Sequence, residues 1–229
     1  MDAAITTFAN RDALMEAAAN GLARTLQKAI DATGSGCAAL SGGSTPEPAY
    51  AALAKRHLDW SRVTFALVDE RFVPPTHQAS NEAMLRRALA PALAAGARLA
   101  PMYSEAPSLE AAAAAADALY APLRIDSALM GMGADGHTAS WFPGAPGLKD
   151  ALGRANPHTV IAQRAPGATG SADRLTLTRA AISQAGSVTL LITGADKRAA
   201  LEAALVGDDK PVAALFEPGM PKPAVLWAA

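Results

Sequence analysis

The sequence predicts an α/β protein: a single domain on a mostly parallel, Rossmann-like sheet with helices on both faces. Three observations carry that expectation. Short apolar runs alternate along the chain with amphipathic stretches of helical length, the pattern of parallel strands joined by crossover helices. Runs such as "VTFALV" and "SVTLLIT" are mostly apolar and rich in β-branched residues, as strands covered on both faces are. The segments rich in glycine and charge follow these runs, and open α/β sheets bind ligands beyond the carboxyl ends of their strands. No internal repeat and no long linker interrupts the 229 residues, so 1–229 read as one domain.

Each element has its own signal. "AAITTF", residues 3–8, reads as a first strand, and Asn10 caps a long amphipathic helix reaching Ala32. "GCAAL" is a short apolar run that leads through the turn "SGGST" into a helix starting near Pro46. "VTFALV" reads as a buried strand that ends in the charges Asp69, Glu70 and Arg71. After a loop with two prolines, Ser80 or Asn81 caps a helix reaching Ala95. "RLAPM" is a weak strand, and Ser108 caps a helix whose run of alanines is strongly helical. "IDSALMGM", "HTVIAQ", "RLTLT", "SVTLLIT" and "PAVLWA" supply the remaining strands, with "ADKRAALEAAL" a helix before the last.

Composition narrows the function. Hydrophobic residues make up 51% of the chain and charged residues 18%, enough apolar surface for a folded core. The net charge is −1 with the basic residues scattered, which argues against a nucleic-acid partner or an anionic membrane. The start "MDAAITTF" lacks the basic and apolar regions of a signal peptide. No apolar run reaches the roughly 18 residues of a membrane span, so a cytoplasmic location is expected. The lone Cys37 excludes a disulfide framework and a cysteine zinc site, and reads as a small buried residue.

Four stretches can carry chemistry. In "SGGSTPEPAY", Gly42 and Gly43 let backbone approach a ligand, while Ser44 and Glu47 have capping-box spacing. With Thr45 they make a helix start suited to an anion; an ordinary strand-to-helix turn is the alternative. "VDER" puts three charges at a strand end, where Arg71 can meet an anion with two hydrogen bonds, or simply face solvent. "GMGADG" formally fits a dinucleotide fingerprint, but Pro143, Gly144 and Pro146 interrupt the helix it needs, and Asn156 stands where the acid belongs. His137 follows, with Asp135 two positions before it; a loop histidine at a strand end is a natural general base. The four histidines form no ligand pattern, so neither metal nor nicotinamide cofactor is expected. Lys197 lies just after "LLITG", where it can offer charge to an anion or face solvent.

Together "SGGSTP", "VDERFVP…SN", "GMGADGHTASWFP", "RLTLT" and "TGADKRAAL" resemble, in order and spacing, the 6-phosphogluconolactonases, from Thr6 to Trp227. The wider superfamily includes glucosamine-6-phosphate deaminase, whose pattern has tyrosine where this chain has Arg71 and glutamate where it has Phe142. A non-catalytic sugar-phosphate sensor is a further alternative. Trp141 stands where leucine is usual, which is expected to reshape the pocket wall.

The resemblance implies hydrolysis of 6-phospho-D-glucono-1,5-lactone to 6-phosphogluconate in the oxidative pentose phosphate pathway, by a monomer or homodimer that needs no cofactor. His137 would pass a proton from the attacking water to the ring oxygen, oriented by Asp135, with backbone amides of the "GMGADG" turn, Gly131 and Gly133 among its residues, stabilising the oxyanion. The phosphate would lie on Ser44 and Thr45, near Gly42 and Gly43, with Arg71, Lys197, Arg174 and Asn81 in the binding site. Asp69 would contact sugar hydroxyls or steer the water.

Overall fold

The computed structural model describes residues 4–229. Of the first expected strand, Ile5–Thr7 is β1 and Ala3 lies outside the described residues. Helix α1 (Arg11–Thr33) opens where Asn10 Oδ1 accepts from the Ala13 N–H at 2.9 Å, and closes at Gly34 in the left-handed region. Its buried residues Leu14, Ala18, Leu22 and Leu26 recur every four positions, one apolar stripe turned to the sheet. Strand β2 (Gly36–Leu40), helix α2 (Glu47–Leu53) and β3 (Val63–Leu67) follow.

Two expectations change here. Pro46, not Ser44, occupies the N-cap of α2 and no side chain caps it, so the Ser44–Glu47 box does not form. Glu47 instead accepts from Arg87 at 2.8 Å. The "DER" triplet is not a strand end or loop but a separate strand, β4 (Asp69–Arg71). Val68 makes the transfer alone: its N–H bonds Leu40 O at 3.0 Å in one sheet, and its C=O accepts from Leu177 at 2.9 Å in another.

The helix expected from Ser80 to Ala95 is two: α3 (Asn81–Ala88), capped by Ser80, and α4 (Ala90–Ala94). Pro91 has no N–H to continue the ladder, so the helix breaks at Leu89. Then come β5 (Arg98–Leu99), α5 (Leu109–Tyr120) capped by Ser108, and β6 (Ser127–Met130). Short helix α6 (Leu148–Ala151), β7 (Val160–Arg164), β8 (Asp173–Leu177) and short helix α7 (Arg179–Ser183) precede β9 (Val188–Thr193). The chain ends with α8 (Ala195–Leu205), a 3₁₀ segment (Pro211–Phe216) and β10 (Ala224–Ala228).

Seven strands form one parallel sheet in the order β1-β10-β9-β6-β2-β3-β5. Its centre is dry: every residue of β2 and β6 is buried. The crossovers β2-α2-β3 and β9-α8-β10 step outward in opposite directions, so right-handedness puts their helices on opposite faces. β4, β8 and β7 make a second, antiparallel sheet that pairs Arg71 with Arg174. One hydrophobic core runs through both, from Leu14 and Leu40 to Leu175 and Leu177. Among the described residues no helix is long and apolar enough to cross a membrane.

The sheet order fixes where a ligand goes. β2 and β6 are neighbours, yet the chain leaves β2 for β3 on one side and β6 leads on to β9 on the other. The loops after these strands therefore diverge and leave a crevice between them. They are the segments beginning Ser41 and Gly131.

Candidate active site

A cleft of about 280 Å³ occupies that crevice. Gly42, Gly43, Ser44 and Thr45 form one wall, Gly131, Gly133 and His137 the other, and Asp69, Arg71, Asn81, Arg174 and Lys197 also face it. It opens past His137, Arg71 and Arg174 into a second chamber of about 750 Å³, walled by Phe142 and the 143–146 and 165–169 loops. Of the residues expected at the site, Asp135 lines this second chamber and all the others line the first.

His137 is held on three sides. Its Nδ1 lies 2.6 Å from Asp135 Oδ1, the same oxygen that accepts from the His137 backbone N–H at 3.1 Å. A carboxylate at Nδ1 favours, for the neutral ring, the tautomer with its proton there, which leaves Nε2 as the acceptor. Phe142 stacks on the ring with centroids 4.3 Å apart. The third constraint is Gly133: a Cβ there would lie 2.2 Å from His137 Nδ1 and 2.6 Å from Asp135 Oδ1. The glycine of this turn thus makes room for the histidine's own imidazole. Burial alone would raise the Asp135 pKa, but the His137 N–H and ring hold it below the usual range.

Two amides of the "GMGADG" turn are already engaged within it. The Gly133 N–H donates to His137 O at 2.9 Å and the Gly136 N–H to Gly133 O at 3.0 Å. Those two amides close the turn and are not free for a ligand.

Asp69 and Asn81 lock the opposite side together. Asn81 Nδ2 donates to Asp69 O at 2.9 Å, and Gly42 lies so close to the amide that a Cβ would meet Asn81 Oδ1 at 1.8 Å. Ser140 Oγ donates to Asp69 Oδ2 at 2.6 Å. Ser140 reaches it through a tight turn in which Ala139 takes a φ of 50°, unusual for a residue with a Cβ. Glu70 faces inward: its carboxylate accepts from Ser80 Oγ and from the backbone N–H groups of Arg71, Asn81 and Glu82, anchoring the start of α3. Burial pushes the Glu70 pKa up against the pull of those four donors.

Three cations line the cleft. Arg174, paired with Arg71 across β8 and β4, is buried in the wall. Its Nε donates to Ser171 O at 2.8 Å and its Nη2 to Thr169 O at 2.7 Å, so the glycine-rich loop aims the guanidinium. Nη1 lies 3.7 Å from Asp69, and the guanidinium sits 5.3 Å from the Phe142 ring centre. Burial lowers its pKa, with Asp69 opposing and Arg71 adding to the shift. Arg71 Nη1 donates to Ala79 O, while its buried Nε has no partner. Lys197, on the first turn of α8, makes no ion pair among those described; burial and then the charge of Arg11 lower its pKa. Such cations gain from an anion arriving in the cleft.

One further reading settles against the sequence. Trp141 lines neither chamber: it is wholly buried in the core with its indole N–H on Leu177 O at 2.9 Å. His77 is exposed, and its Nδ1 accepts from the Ala79 N–H at 3.1 Å. Cys37 is buried as expected, and burial pushes its thiol pKa up to about 12. Sequence reasoning missed Ser140 and Ser41, single serines that no spacing rule marks.

Comparison with known proteins places the chain in a family. Residues 9–227 match the family described as glucosamine-6-phosphate isomerases/6-phosphogluconolactonase. A 6-phosphogluconolactonase of Rhizobium meliloti is 41% identical over 233 residues, covering 100% of both chains. One from Pseudomonas putida is 41% identical over 203 residues, 88% of this chain and 83% of its own. The crystal structure of a 6-phosphogluconolactonase from Shewanella baltica superposes with a TM-score of 0.93 at 32% identity, covering 100% of this chain and 98% of that one.

Proposed function

Since the chain belongs to the glucosamine-6-phosphate isomerase and 6-phosphogluconolactonase family, as an enzyme of its lactonase branch, we propose that it opens 6-phospho-D-glucono-1,5-lactone with His137 as the proton-transferring group. The observation that carries this reading is the state of that imidazole: Nδ1 tied to Asp135, Nε2 unencumbered, the ring facing the cleft.

The chemistry follows. Nε2 removes a proton from water as its oxygen adds to C1 of the lactone. When the tetrahedral intermediate collapses, the bond from C1 to the ring oxygen breaks, and the same nitrogen returns the proton to that oxygen. The product is the open-chain acid, and His137 ends as it began. Asp135 keeps the ring in the one tautomer that can do this and stabilises the transient imidazolium. Phe142 supplies an apolar face where the deaminase pattern has a carboxylate, so ring opening of an amino sugar has no relay here. Ser44, Thr45, Lys197 and Arg71 make a cationic, hydroxyl-lined pocket for the phosphate. Asp69, fixed by Ser140 and Asn81, offers its carboxylate to a sugar hydroxyl.

Direct assay tests the reading. The chain is expected to hydrolyse the phosphorylated lactone above its spontaneous rate and to release no ammonia from glucosamine 6-phosphate. His137→Ala is expected to fold and to lose about 10²–10⁴-fold in kcat. An unchanged kcat would exclude His137 as the base.

A further inference from the structure

We propose that the Ser41 hydroxyl is a substrate contact, hydrogen-bonding an oxygen of the lactone ring, and that Gly131 keeps the approach to it open; this rests on the lactonase reading above.

Ser41 sits at the centre of the crevice, the first residue after β2. Its backbone is fixed at both ends: the N–H donates to Leu129 O at 3.0 Å and the C=O accepts from the Tyr50 hydroxyl at 2.8 Å. The residue is 5% exposed, and its Oγ has no hydrogen-bond partner. Buried hydroxyls are normally paired, so an unpaired one at the floor of a binding cleft is placed for a partner that comes with the ligand. Ser44 is exposed and Thr45 half-buried, so water can pair with their hydroxyls in a way it cannot with that of Ser41.

Gly131 supplies the second observation. Its φ is not in the region reserved for glycine, and no backbone presses on it. A Cβ there would meet only Ser41, its Oγ at 3.5 Å and its Cβ at 4.0 Å, an ordinary contact. Neither conformation nor packing demands glycine at this position. A methyl group would, however, lie over the Ser41 hydroxyl. Without it, the hydroxyl is free on that side to turn about the Cα–Cβ bond between staggered positions toward a ligand.

The test is a mutant cycle read on kcat, KM and thermal midpoint together. Ser41→Ala is expected to lower kcat/KM on the order of tenfold, the worth of one neutral hydrogen bond. Its thermal midpoint should stay the same or rise, because the deleted group bonds nothing in the free protein. Gly131→Ala should lose a similar factor by covering the hydroxyl, and the double variant should be no worse than Ser41→Ala alone. A loss carried by KM identifies a ring hydroxyl as the partner; one carried by kcat identifies the carbonyl oxygen, where charge develops. Parental kcat and KM in Ser41→Ala overturn the contact, and so does a lowered midpoint, which would mark the hydroxyl as structural. An inactive parent chain overturns the lactonase reading itself, whereas an active parent with an indifferent Ser41→Ala overturns only this proposal.

Discussion

Replacing Gly133 by alanine tests whether the histidine's placement, and not only its presence, sets the rate. The new Cβ would lie 2.2 Å from His137 Nδ1 and 2.3 Å from Cε1, where ordinary contact begins at 3.4 Å. The ring must therefore retreat by about 1.2 Å, the shortfall between those distances. It cannot do so freely, because Asp135 holds one edge and Phe142 covers a face. Misplacing a reacting group by about 1 Å costs roughly 10²-fold in rate, so kcat should fall by that order. KM should change little, since the residues proposed for the phosphate stand on other elements. The assay is steady-state hydrolysis of the phosphorylated lactone, corrected for its spontaneous opening, with circular dichroism to confirm folding. Gly21→Ala is the control: it lies inside α1 with nothing within 4 Å of its Cβ position. There kcat should hold while stability rises by about 0.5–1 kcal/mol. A folded Gly133→Ala enzyme with parental kcat would refute the idea that this turn positions the base.

Other perturbations address the rest of the site. Arg71→Ala and Lys197→Ala should each cut kcat/KM for the phosphorylated lactone by about 10–100-fold, from roughly 1.5–3 kcal/mol per charged hydrogen bond. Plain glucono-1,5-lactone should be affected far less, and equal losses on both substrates would refute the phosphate assignment. Among the described residues no three histidine, cysteine or acidic side chains converge as metal ligands. Activity should therefore survive a chelator; a loss restored by a divalent cation would overturn this. Asp117 gives a pH test. Burial alone would raise its pKa, but the Val160 and Thr159 N–H groups and His158 lower it below the ordinary 3.8. Its ionised form thus stabilises the fold above that value, and the contribution disappears as pH falls through the lower folded value. Asp117→Asn should flatten this part of the acid-unfolding curve; an unchanged curve would show that the contacts contribute nothing.

Much of the architecture was legible because it rests on local chemistry. Asn10 and Ser108 announce their helices by capping, and the strands β2, β6 and β9 announce themselves by short, mostly apolar runs. The motifs that carry Gly42, Asp69, His137 and Lys197 were visible too, since each follows such a strand. What the chain alone determined is therefore the type of the longer elements and the inventory of groups at the strand ends.

Tertiary structure decided how those groups are used. Nothing local in "DER" distinguishes a strand end from a new strand; the partner, "RLTLT", lies about a hundred residues away along the chain and supplies the ladder. The second sheet then decides that Arg174 faces Arg71 and that Trp141 packs in the core. Which amides are free, which glycine yields to an imidazole and which serine is left without a partner are likewise facts of close approach. Such contacts join residues distant in sequence, and their energies depend on tenths of an ångström, a scale to which composition and periodicity are blind.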